Sequence, residues 1–417
     1  MGKRETQSHE SSAIRHGRLK RRNAGRTVLK GVAATVTVVA VSAVGVGAWA
    51  VTDVMNDVQP GVALVGETPG QIIPDVNSIE GGINLLVIGS DSRAGQGDGY
   101  GDPKKETGVL NDVTMLLHVA EDHSNATIVS FPRDMRVPIP QCPRPEEDGG
   151  GFYSAMSSQP IHASLGYGGI ACTAETVEQL TGLDIPFVGL VQFNGVVALS
   201  KALGGVDVCL AAPISDKHTD LDLPAGNVTL EGDLALQFLR TRYGVSDGSD
   251  LGRISNQQMF LSATVRELKE AGTLTDPVTL YSIAKVAAHN MDFSQNLRSL
   301  NTMVSIALTL KDIPNDKITF VQYPNHYGPD GEVYPTIQAA EVLMDAVKAD
   351  KDLTITDGTG GSVPKDQKTI APNTPETTNP STASPGSSEA PDDSTVELPP
   401  GVYGQRADEV TCAAGNG

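Results

Sequence analysis

The sequence is poor in cysteine and in basic charge, and it lacks the short signatures of nucleotide, zinc and covalent chemistry. Four cysteines occur in 417 residues, with no CxxC pair and no close histidine pair. A miniprotein held by disulfides is thereby excluded and a zinc site disfavoured. Neither G-x-G-x-x-G nor a P-loop lysine follows the first apolar strand, so no nucleotide is implied. His162 has no serine elbow or cysteine partner nearby, and His16, His123, His218, His289 and His326 show no metal-ligand spacing; a covalent nucleophile finds no support. Basic residues number 31 against 50 acidic ones, for a net charge of −19. Residues 1–30 hold nine basic and two acidic residues, so the remainder carries −26. Such an acidic body repels phosphate backbones, and no nucleic-acid partner is expected.

What is present begins with an uncharged run of 22 residues, 31–52, rich in Val and Ala. At about 1.5 Å per residue it spans roughly 33 Å, the apolar thickness of a bilayer. The basic tail of residues 1–30 before it predicts a single-pass cell-membrane protein with a cytoplasmic N-terminus and an extracytoplasmic body. Ala48-Trp49-Ala50 would suit a cleaved leader, but the run exceeds the usual length of a signal core, which favours a retained anchor. Outside the cytoplasm, Cys142, Cys172, Cys209 and Cys412 are expected to form two disulfides. Cys142 with Cys172 is the easier pair to picture, but all three pairings stay open.

After a juxtamembrane connector, 53–80, the region 81–350 alternates strand and helix patterns. Residues 83–88 (INLLVI) read as a strand covered on both faces. Further strands are expected at 114–119, 126–131, 187–193, 206–210 and 318–323. Helices are expected at 173–180, 232–239, 256–268, 297–310 and 337–347, the last with Ile337, Ala340, Met344 and Val347 on one core-facing stripe. The alternation predicts an α/β fold, a three-layer helix-sheet-helix domain around a central mixed sheet. Residues 351–400 read as a disordered linker, since 361–400 contains eight Pro, six Ser and six Thr. A tail, 401–417, carries Cys412.

Four polar patches interrupt this pattern. Asp91 and Arg93 follow the first strand, where open α/β sheets gather ligands. Asp112 precedes the next strand, and the glycine-rich stretch 94–108 could fold over to bring it to Asp91. Two converging carboxylates need a shared proton or a hard cation, and Mg²⁺ suits them because it takes carboxylate and phosphate oxygens. Arg133 follows the third strand. Arg240 and Arg242 would point the same way if the chain became extended at Leu239, while Arg253 and Gln257 share a helix face. Five arginines so placed in an acidic body suggest a polyanion, most simply a pyrophosphate; the plainer alternative is a set of ordinary surface ion pairs.

Taken together, NLLVIGSDSR (84–93), NDVTML (111–116), SFPRD (130–134), HASLGYGG (162–169), ALGGVDV (202–208), EGDLALQFLRTRY (231–243) and DLGRISNQQ (250–258) resemble the LytR-CpsA-Psr family of membrane-anchored cell-wall ligases. The resemblance implies an enzyme that moves a glycopolymer from a polyprenyl pyrophosphate carrier to peptidoglycan. It implies Mg²⁺ on Asp91 and Asp112, and pyrophosphate among Arg133, Arg240, Arg242 and Arg253 beside Gln257. Arg93 would orient the aspartate region, Asp91 would be the candidate proton acceptor, and the lipid tail would occupy an apolar groove between sheet and helices. Two positions depart from the family pattern: Pro160-Ile161-His162 lacks its usual basic residue, and Leu110 stands where an arginine is usual. Hydrolysis of the carrier pyrophosphate, or lipid binding without catalysis, are the competing functions.

Overall fold

The computed structural model describes residues 61–65 and 82–415, apart from 101–103, 106–107, 145–148, 246–247, 271, 274–275 and 365–394. The expected membrane span and most of the connector lie outside these residues. No helix among the described residues is long and apolar enough to cross a membrane.

Eleven strands matter here: β1 (Ile83–Ser90), β2 (Asn111–Val119), β3 (Ala126–Ser130), β4 (Phe187–Val191), β5 (Val206–Leu210), β6 (Gly226–Leu230), β7 (Met291–Phe293), β8 (Ile318–Gln322), β9 (Ser362–Pro364), β10 (Gly404–Arg406) and β11 (Thr411–Ala413). The helices are α1 (Ala163–Thr181), α2 (Phe193–Leu203), α3 (Asp233–Arg240), α4 (Asp250–Glu270), α5 (Pro277–Asn290), α6 (Leu300–Asp312) and α7 (Ile337–Lys348). Seven strands form a mixed sheet in the order β7-β4-β1-β2-β3-β8-β10. β1 runs parallel to β4 and antiparallel to β2. A smaller sheet has the order β6-β5-β11-β9.

The two-residue period of β1 divides its side chains between two cores. Leu86 and Ile88 pack with Ile170 and Val177 of α1 and with Leu343 and Val347 of α7. Ile83 and Leu85 face the other way, toward Leu261 and Val265 of α4, Ala288 of α5 and Ile306 of α6. Helices therefore cover both faces, which is why INLLVI could be apolar at all positions but Asn84 and why the expected three layers are found. A third cluster joins the small sheet to Phe238 of α3 and Met259 and Phe260 of α4.

Several boundaries differ from those expected. α2 begins at Phe193, where a strand was expected to end. α5 carries no strong apolar stripe in sequence and was not expected. α1 starts ten residues before 173, because Gly168 and Gly169 leave helical dihedrals and let two shorter helices join across a kink. Ile337 is 61% exposed, since α7 meets the sheet only from Ala339 onward. The largest correction concerns 351–400. Asp352–Thr354 pairs in parallel with Thr395–Glu397, β9 pairs with β11, and Leu353 and Leu398 are buried. A few apolar residues scattered among Pro, Ser and Thr find places on the body that average composition conceals. The stretch 365–394, also expected to be disordered, lies outside the described residues. Nor is 401–417 merely a tail, because β10 is the last strand of the central sheet. Cys142 bonds Cys172, and Cys209 bonds Cys412.

Candidate active site at the end of the central sheet

The site is built where β1 and β3 end and β2 begins, against α3 and α4. Gly89 pairs with Val113 but Ser90 pairs with Asn111, so Asp112 is an extra residue in β2. Such a bulge redirects the side chain it adds. Gly89 is required beside it, since a Cβ there would lie 2.9 Å from the Val113 Cβ. Asp112 therefore belongs to the strand and does not precede it. Pairing of adjacent strands brings Asp91 to Asp112, so the glycine-rich stretch need not fold over. The Leu110 N–H donates to Asp91 Oδ1 at 2.9 Å.

Arg133 follows directly on β3. Its Nη1 donates to Asp112 Oδ1 and its Nε to Asp134 Oδ1 at 3.1 Å. Asp250, at the start of α4, gathers the next three groups: the Arg133 N–H at 3.3 Å, Arg242 Nη2 at 2.7 Å and Arg253 Nη2 at 2.6 Å. Arg253, 4% exposed, also donates from Nη2 to the Asp112 carbonyl at 3.2 Å. Arg242 reaches Asp134 Oδ2 at 3.6 Å.

α3 continues through Arg240, and only Thr241 turns extended, so Arg240 and Arg242 diverge where an extended chain would have aligned them. The Arg240 guanidinium lies 4.5 Å from the centroid of the Phe193 ring and makes no ion pair among the described residues. Gln257 Nε2 donates to the Leu239 carbonyl at 3.1 Å, tying α4 to the end of α3. Arg93 is close enough that its charge adds to burial in lowering Arg240 and weakly opposes the rise of Asp91.

The electrostatics follow from this packing. Burial raises the Asp91 carboxyl, and Asp112 adds to the rise against the Leu110 N–H and Arg133. For Arg240 and Arg253, burial is the main cause of a lowered value. Burial also acts to lower Arg133, but Asp112 and Asp134 outweigh it and the value rises. The hydrogen bond from His162, with help from Arg133, holds Asp134 well below the usual carboxylate range despite its burial.

The structure thus gathers Asp112, Arg133, Arg242 and Arg253 into one ion-pair cluster with Asp91 and Arg93 beside it, while Arg240 turns to Phe193 and Gln257 braces the end of α3. Two further carboxylates, Asp134 and Asp250, were missed as site residues although both stand in the quoted motifs. An argument for a polyanion passes over acidic residues, yet these preassemble the arginines. Asn111, quoted beside Asp112 in NDVTML without a role of its own, is a supporting residue. Fully buried, it donates to Thr114 Oγ1 at 2.7 Å and accepts the Leu165 N–H at 3.4 Å, fixing the entry to α1.

Beside the cluster lies a cavity of about 290 Å³ between the sheet and helices α2, α3 and α4. Val87, Met115, Val196 and Leu199 give it apolar walls, and Asp112, Arg240, Arg253 and Gln257 supply its polar lining. A second apolar cavity, of about 240 Å³, shares Val87, Met115 and Leu261 with it. This arrangement suits a ligand with an anionic head and a long apolar tail.

No group of three or more His, Cys, Asp or Glu suited to a metal occurs among the described residues. The pair Asp91 and Asp112 nevertheless fits a hard divalent cation that completes its shell with substrate and water. Both offer carboxylate oxygens, and the burial that chiefly raises Asp91, with the charge of Asp112 adding to it, is a cost that a cation would relieve.

A family model described as the LytR_cpsA_psr family matches residues 65–351. Over 351 residues the chain is 28% identical to the cell wall biosynthesis protein LcpA of Corynebacterium glutamicum, covering 77% of this chain and 65% of that protein. It is 24% identical to the polyisoprenyl-teichoic acid–peptidoglycan teichoic acid transferase TagT of Bacillus subtilis, covering 74% of this chain and 90% of the relative. The crystal structure of a Streptococcus agalactiae protein superposes with a TM-score of 0.50 at 18% identity, covering 64% of this chain and 86% of the other, and so shares the fold.

Proposed function

The chain belongs to the LytR-CpsA-Psr family, and from that premise we propose that it transfers a glycopolymer from a polyprenyl pyrophosphate carrier onto peptidoglycan as a phosphodiester. The observation that carries this reading is the junction of an arginine cluster with an apolar cavity, a pairing that matches a diphosphate joined to an isoprenoid. Arg240 stands at that junction with no carboxylate in ion-pair contact among the described residues, so its guanidinium can meet the ligand. The name of the Bacillus subtilis relative describes the same class of carrier and acceptor.

In the proposed reaction, a peptidoglycan sugar hydroxyl attacks the polymer-side phosphorus. A bond forms to that oxygen, the bond to the bridging oxygen breaks, and polyprenyl phosphate leaves with the electron pair. The hydroxyl proton ends on the released monophosphate, whose second ionisation lies near pH 6. Transfer of this kind depends on positioning and on stabilising charge that grows on phosphoryl oxygens. Arg133, Arg242 and Arg253 are held in place by Asp112, Asp134 and Asp250, so they need not reorganise as that charge develops. Mg²⁺, held by Asp91 and Asp112, would neutralise diphosphate charge and polarise the reacting phosphoryl group. Anchoring by residues 31–52 would place the body outside the cytoplasm, a location that its two disulfides fit.

The test is an assay of the full chain with a polyprenyl-diphosphate-linked oligosaccharide, with and without peptidoglycan fragments. A saccharide–peptidoglycan phosphodiester formed only with the acceptor supports transfer. Release of phosphorylated products at the same rate without the acceptor would make the protein a pyrophosphatase instead.

A further inference from the structure

The reading above leaves open where the saccharide lies, and it gives no role to the exposed aromatic that follows Arg242. Tyr243 is 59% exposed although it is anchored on a rigid turn. Its ring meets the exposed His218 ring at a tilt of 41°, with centroids 4.6 Å apart. Both backbone segments are set by one buried carboxylate. Asp216, 3% exposed, accepts the Thr241 hydroxyl at 2.6 Å, the Arg242 N–H at 3.3 Å and the His218 N–H at 2.9 Å. An aromatic pair held at the surface by a buried carboxylate suits recognition more than packing, since both rings stay exposed.

Position gives the pair its ligand. Arg240 lines the apolar cavity, whereas Arg242 and Tyr243 do not. Tyr243 follows Arg242 directly in the chain, so a diphosphate spanning the arginines with its lipid on the cavity side would present its other substituent on the Arg242 side, the side that carries the aromatic pair. We propose that Tyr243, backed by His218, is a saccharide-binding platform that stacks on the first sugar of the glycopolymer and thereby selects a glycosylated carrier. Pyranose C–H groups carry partial positive charge and pack on the negative face of an aromatic ring, while sugar hydroxyls remain in water. The inference rests on the proposed pyrophosphate site and deepens it.

The experiment measures binding of undecaprenyl diphosphate, and of its N-acetylglucosaminyl conjugate, to the full-length chain and to Tyr243→Ala and Tyr243→Trp. The expected result is about tenfold weaker binding of the conjugate by Tyr243→Ala, equivalent to about 1.4 kcal/mol. Binding of the sugar-free lipid should be unchanged, and Tyr243→Trp should restore the conjugate's affinity. Equal weakening for both lipids would assign Tyr243 to the phosphate end or to folding and overturn the platform. Unchanged binding of the conjugate would overturn it as well. Failure of the unaltered chain to bind even the sugar-free lipid would instead sink the pyrophosphate site, and the platform with it.

Discussion

Arg240 shows how a single side chain acquires its function from its surroundings. Burial and the charge of Arg93 make its protonated state costly, and the Phe193 ring replaces only part of the lost hydration. An anion arriving there relieves that cost, so Arg240→Ala should lower transfer by about a hundredfold to a thousandfold with the unfolding midpoint unchanged. Steady-state transfer rates and urea denaturation measure the two quantities. Arg240→Lys should recover little activity, since a compact ammonium neither stacks as well nor forks to two oxygens.

A second residue-scale prediction concerns pH. Burial alone would raise the Asp350 carboxyl, but His118 Nε2 at 2.9 Å and the Glu121 N–H at 3.1 Å outweigh it and hold the carboxyl below its ordinary range. A depressed folded-state value gives stability that is fully present above the ordinary carboxylate range, about pH 4, and that drains as pH falls through the folded value. Asp350→Asn should therefore reduce stability at pH 7 and flatten its decline below about pH 4, as read from urea midpoints across pH. His118 itself is 1% exposed and bonded to Asn84 and Asp350, which accords with a packed residue and not a metal ligand.

Among the elements, the kinked helix α1 is the most constrained. A Cβ at Gly168 would lie 2.8 Å from the Cβ atoms of both Cys142 and Cys172, so the kink and the disulfide fit only around glycine. Gly168→Ala should destabilise by about 1–3 kcal/mol, the usual range for overpacking, and denaturant unfolding checks it. Near-continuous apolar runs made β1 to β3 legible from sequence, because strands covered on both faces have no side that must be polar. α2 and α5 were not legible. Phe193 continues an apolar strand without a marked break, and α5 has too weak a stripe to announce a buried face. Asp112 was legible as a residue but not as a bulge, since a bulge is a mismatch between two strands and belongs to neither sequence alone.

For the molecule as a whole, the described segments beyond 351 are structural. β10 edges the central sheet, β11 lies between β5 and β9, and the Arg266 Nη1 donates to the Ala407 carbonyl at 2.7 Å. The Cys209–Cys412 bond closes a separation of 203 residues, and chain-entropy reasoning assigns a loop of that size about 5 kcal/mol. Replacing both cysteines by alanine should lower unfolding free energy by about 3–5 kcal/mol, a change that urea titration would resolve. Deleting 395–417 should cost more, since it also uncovers an edge of the sheet.

By itself, the sequence determined the alternation of apolar strands and helices, the acidic body with its few arginines, and the motifs that mark the family. These are local properties, carried by residue type and short spacing. Only the tertiary structure decided that Asp134 and Asp250 knit the arginines together, that Arg240 and Arg242 part company, which cysteines pair, and that a Pro-, Ser- and Thr-rich region has ends built into the body. Each of those depends on which distant segments become neighbours, and that is set by burying both faces of one sheet at once.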